Sequence, residues 1–77
     1  LIMDNKQKLL AALQERCQSL IHDGYSIIYT TDNKGWHYVK LRHSNGNYVS
    51  VIAYSNDCSI VQRTNGHVVH YEKVCKS

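Results

Sequence analysis

Trp36–Tyr54 reads WHYVKLRHSNGNYVSVIAY, and the pairing of its two halves decides the fold. Residues 36–43 and 47–54 are rich in Val, Tyr, Trp and Ile and alternate in character, which is the signature of β-strands. Ser44-Asn45-Gly46 separates them, and Asn-Gly between alternating runs is a strong hairpin signal. Two pairings compete. A two-residue Asn45-Gly46 turn would set His43 opposite Tyr48 and Val39 opposite Ile52, mixing Lys40 and Arg42 with Val49 and Val51. A three-residue turn with a left-handed Gly46 sets Leu41 opposite Val49, Val39 opposite Val51 and His37 opposite Ala53. The aliphatic residues then share one face. Trp36, Tyr38, Lys40, Arg42, Tyr48, Ser50, Ile52 and Tyr54 share the other. A slip of one residue reverses every side chain, so the pairing that separates the two characters is expected.

Working outward, Asp4 to His22 reads as a helix. Asp4 is an N-cap, Gln7 completes a capping-box pair, and Leu9, Leu10, Leu13, Cys17, Leu20 and Ile21 form an apolar stripe. Gly24 ends the helix as a left-handed residue. Tyr25 to Thr31 reads as a first strand with Tyr25, Ile27 and Tyr29 on one side. Asp32 to Gly35 and Ser55 to Asp57 read as turns. Cys58 to Thr64 and His67 to Val74 read as the last two strands, joined by a second Asn-Gly turn at Asn65-Gly66. The register of that hairpin stays open, since neither side of its strands is cleanly apolar. Short connections make sequential neighbours antiparallel. The expected fold is α+β: one N-terminal helix on a five-stranded antiparallel meander, with residues 1–77 forming a single small domain.

No apolar run approaches the roughly 18 residues of a membrane span. The polar turn at Asp4 argues against a signal peptide. Three cysteines without CxxC spacing argue against a disulfide framework and for a reducing, cytoplasmic setting. The net charge of +3 lies wholly on residues 24–77, which permits an acidic partner or nucleic acid without requiring either.

Four rings, Trp36, Tyr38, Tyr48 and Tyr54, with Lys40 and Arg42 between them, are the candidate binding residues. Such a face is expected to be buried by self-association or a protein partner, because tyrosine and tryptophan suit interfaces. Single-stranded nucleic acid is the next reading, with rings stacking on bases and cations on phosphates. A surface with scattered tyrosines is the third.

No metal is expected, since no pair has structural zinc spacing and His67 and His70 would alternate to opposite faces of a strand. No cofactor is expected, as each glycine falls at a turn or cap and no phosphate loop is present. No catalytic residue is assigned. The enzymatic alternative is a small ribonuclease-like protein drawing on His37, His43, His70, Arg42, Arg63 and Tyr71. Cys17, on the helix stripe, reads as core.

Overall fold

Asp4 opens the single helix, α1 (Asn5–His22), by a reciprocal pair of hydrogen bonds in this computed structural model, which describes residues 2–76. Its carboxylate accepts from Gln7 N at 2.8 Å and Gln7 Oε1 accepts from Asp4 N at 2.9 Å, so two of the orphan donors of the first turn are satisfied. Leu9, Leu13, Cys17 and Leu20 recur at helical spacing and are buried. At the other end Gly24 turns the chain out of the helix with φ +102°. A Cβ there would also meet His43 Nε2 at 2.7 Å, so close approach and conformation both require glycine.

Five strands follow: β1 (Tyr25–Asn33), β2 (Trp36–His43), β3 (Tyr48–Tyr54), β4 (Ser59–Thr64) and β5 (His67–Lys73). They lie in chain order in one antiparallel sheet. The α+β meander expected from the sequence is what the chain adopts.

The central hairpin takes the three-residue turn. His43 N donates to Asn47 O, Gly46 N donates to His43 O, and Gly46 has φ +94°. Leu41 sits opposite Val49, Val39 opposite Val51 and His37 opposite Ala53. Val39, Leu41, Val49, Val51 and Ala53 are therefore buried under α1, with Ile60 of β4 beside them. Asn65-Gly66 forms the second two-strand turn, with both residues at positive φ (53° and 78°), the geometry whose twist matches a tight hairpin.

Three expectations need correction. A bulge at Ile28 interrupts the β1–β2 ladder, so Tyr25 and Ile27 face the helix side while Tyr29 pairs with Lys40 and faces away. A second bulge at Val69 shifts the β4–β5 ladder, with Gln62 opposite His70 and Thr64 opposite His67. His67 and His70 thus occupy register positions on the same side, where simple alternation would have divided them. Finally, Cys58 and Cys75 form a disulfide, with Cα atoms 5.5 Å apart. Antiparallel pairing of β4 and β5 continues past Ser59–Lys73, and both Val74 N and Cys75 N donate to Cys58 O. That brings together two cysteines which have no motif spacing in the chain. Cys17 is free and buried, and burial pushes its thiol pKa up.

The helix is tied to the sheet by a polar contact as well as the core. Arg16 Nε donates to Gln62 Oε1 at 2.7 Å, and Gln62 is buried. A glutamine buried there would be costly without this partner.

Candidate functional site

The side chains of the sheet that point away from α1 form the candidate site. Direct cross-strand partners share a face, so the register lays out the surface row by row. Nearest the β1–β2 and β3–β4 turns, one row runs Asn33, Trp36, Tyr54, Ser59 and Lys73. The next runs Thr31, Tyr38, Ile52, Val61 and Tyr71. The third runs Tyr29, Lys40, Ser50, Arg63 and Val68, and beyond it lie Ser26, Arg42 and Tyr48. All six residues assigned to binding from the sequence, Trp36, Tyr38, Lys40, Arg42, Tyr48 and Tyr54, stand together here. Most of these side chains are exposed or half-buried, while Ser59 and Val61 of β4 are buried.

The layout is asymmetric. Trp36, Tyr38, Ile52 and Tyr54 line a shallow apolar hollow of about 180 Å³. Next to it, Lys40, Tyr48 and Arg63 line a trough of about 370 Å³, with Tyr38 and Ile52 shared between the two. Lys40 Nζ lies 4.8 Å from the centre of the Tyr48 ring and Arg42 Cζ lies 5.8 Å from it. Both are within reach of the ring's negative face, which holds the two cations side by side. Tyr38 is fixed by a 2.9 Å hydrogen bond to Ser50 Oγ and by an edge contact with Tyr29, whose ring centre is 6.2 Å away.

Charge is segregated as sharply as shape. Lys40, Arg42 and Arg63 all belong to this face. None of the six carboxylates does. Asp4, Glu15 and Asp23 belong to the helix and its caps, and Asp32 and Glu72 pair with residues on the helix side of the sheet. Asp57 lies in the β3–β4 turn and borders the face only at its Ser59 corner, accepting from Ser59 Oγ at 2.7 Å. Neither Arg63 nor Tyr29 is among the binding residues expected from the sequence. The bulge that turned Tyr29 outward, and the open register of β4, hid them.

The residues of the ribonuclease-like alternative divide between the two faces. Arg42, Arg63 and Tyr71 face outward. His37, His43 and His70 fall on the helix side. His37 Nδ1 hydrogen-bonds Asp32 at 2.8 Å, His43 Nδ1 accepts from Asn45 N at 3.0 Å, and His70 lies 3.9 Å from Glu72. His37 and His70 stand on strands three ladder steps apart, about 14 Å.

A larger cavity lies elsewhere. About 520 Å³ opens between the start of α1, the β1–β2 turn and the disulfide, among Lys6, Lys34, His37 and Lys73. Lys73 Nζ donates to Asp57 O there, and both disulfide sulfurs rest against Asn5 O at 3.7–3.8 Å. No three His, Cys, Asp or Glu side chains gather as a metal set among the described residues. No helix among them is long and apolar enough to cross a membrane.

The chain matches no protein-family model, no curated protein and no solved structure.

Proposed function

We propose that this domain is a non-enzymatic binding module that takes single-stranded nucleic acid on the face of its sheet away from α1. One observation carries the reading: Lys40, Arg42 and Arg63 share that face with Trp36, Tyr38, Tyr48 and Tyr54, and every carboxylate lies off it. A single strand offers what the face lacks, negative charge together with exposed flat bases. The test is a titration of labelled oligothymidylate or oligouridylate at low salt, read by anisotropy. Saturable binding that weakens with salt is expected. No binding at 20 mM salt and high protein concentration would end the proposal.

A second reading, self-association through the same sheet face, draws on the apolar hollow of Trp36, Tyr38, Ile52 and Tyr54. It asks two sets of three cations to approach without a carboxylate between them, which disfavours direct face-to-face docking. Light scattering on eluting protein tests it, because a monomer at high concentration removes this second reading. A ribonuclease-like enzyme draws no support from residues divided between opposite faces of a sheet. The Cys58–Cys75 bond withdraws the ground for expecting a reducing, cytoplasmic setting.

A further inference from the structure

We infer that a bound single strand crosses the β-strands rather than following them, with its phosphates over Lys40, Arg42 and Arg63 and its bases turned into the hollow of Trp36, Tyr38, Ile52 and Tyr54. This rests on the nucleic-acid reading above and gives it a direction. The face is divided along its length. The two rows nearest the β1–β2 and β3–β4 turns carry Trp36, Tyr54, Tyr38, Ile52 and Val61, with one cation, Lys73, at the corner tied to Asp57 O. The rows towards the Gly46 and Gly66 turns carry Lys40, Arg63 and Arg42, with the rings of Tyr29 and Tyr48 beside them. Lys40 and Arg63 lie in the same row on β2 and β4, about 10 Å apart across the sheet, and Arg42 lies about 7 Å from Lys40 along β2. The three cations therefore form a band running across the strands, parallel to the ring band beside it. A strand lying along a β-strand would place its phosphates over rings for half of its path. A strand lying across them keeps phosphates on one band and bases on the other.

Two hydroxyls of the ring band are engaged within the protein. Ser50 Oγ is bonded to the Tyr38 hydroxyl, and Ser59 Oγ to Asp57. Stacking on rings is available to every base, so binding is tolerant of sequence. Five strands at about 4.8 Å spacing set the width of the path at about 19 Å, room for a few nucleotides.

The experiment uses the whole chain with oligothymidylate, an abasic oligonucleotide of the same length, and a duplex. Affinity is read by anisotropy of the labelled nucleic acid, and base placement by quenching of Trp36, the single tryptophan. Three phosphate contacts give a log–log salt slope of about −2 for a single strand, roughly an 18-fold loss of affinity between 50 and 200 mM salt. Lys40→Ala, Arg42→Ala and Arg63→Ala each flatten that slope by about 0.7. Tyr54→Ala leaves the slope unchanged and weakens binding about 5- to 150-fold, the effect of one lost stack. The abasic strand keeps the slope and fails to quench Trp36. Circular dichroism melts confirm that each variant is folded. If Arg63→Ala leaves the slope untouched while Lys40→Ala and Arg42→Ala lower it, the path follows β2 and the crossing orientation is wrong, although nucleic-acid binding stands. If the abasic strand quenches Trp36 fully, or the duplex binds as tightly as the single strand, the placement of bases in the hollow is wrong. If no nucleic acid binds at low salt, the reading beneath it fails instead.

Discussion

Replacing Leu41 with alanine tests the pairing on which both faces depend. Leu41 is fully buried, sits opposite Ile27 and Val49, and packs within the cluster under α1. Truncating such a leucine removes its burial and leaves a void, at a cost of about 2–5 kcal/mol. A domain of 77 residues has roughly 4–12 kcal/mol of stability in all. Leu41→Ala therefore takes at least about a sixth of it, and at about 4–8 °C per kcal/mol the melting temperature falls by roughly 8–40 °C. The informative comparison is Ile52→Ala. Ile52 is of equal size, lies in the same hairpin, and borders the hollow on the opposite face, where it is only part-buried. Its loss is expected to cost about 1 kcal/mol, since much of the removed surface was already wet. Urea unfolding followed by circular dichroism measures both. A one-residue shift in pairing would set Leu41 and Ile52 on the same face, beside Val39, so the two truncations would then cost about the same. An Ile52→Ala cost equal to or above that of Leu41→Ala refutes the three-residue turn and dissolves the candidate site with it.

Gly24→Ala is expected to destabilise by about 2 kcal/mol, from its positive φ and the His43 ring in its path. In a His43→Ala background the cost should shrink by the steric share, and a double-mutant cycle on thermal melts reads that coupling. Reducing the Cys58–Cys75 bond, whose partners are 17 residues apart, is expected to cost about 3 kcal/mol and lower the denaturant midpoint. Mass spectrometry before and after reduction identifies the bond itself, and a free Cys58 in unreduced protein would refute it. Cys17 should react with a thiol reagent far more slowly in the folded protein than in urea, because burial both shields the thiol and raises its pKa. Rapid modification of the folded state would show that the helix is not docked over it.

Much of the architecture was legible in the residues. Asp4 and Gln7 announce the helix start, and the parity of Val39, Leu41, Val49 and Val51 selects the turn at Gly46 without any distant information. What eluded the sequence has one physical cause in two places. Each bulge adds a residue to one strand, and every side chain beyond it changes face. Tyr29 was placed with Tyr25 and Ile27 for that reason, and β5 looked evenly mixed because its true pattern changes phase at Val69. The candidate face suffered accordingly. Its four rings and two of its cations were visible within the one unbroken hairpin, whereas Arg63 reaches the face through the β3–β4 register, which pattern alone could not decide. The Cys58–Cys75 bond and the Arg16–Gln62 contact were equally hidden, since both join segments that meet only once the sheet has formed.

The meander has a kinetic side. Each strand rests against its immediate predecessor in the chain, so no large loop must close before the next ladder can begin, and the entropy lost at every step is small. Assembly can proceed as a zipper from the Gly46 turn outward, with docking of the helix as the one long-distance event. A chain so wired should reach its native state quickly, and its slowest step should be oxidation of the final thiol pair rather than any rearrangement of backbone.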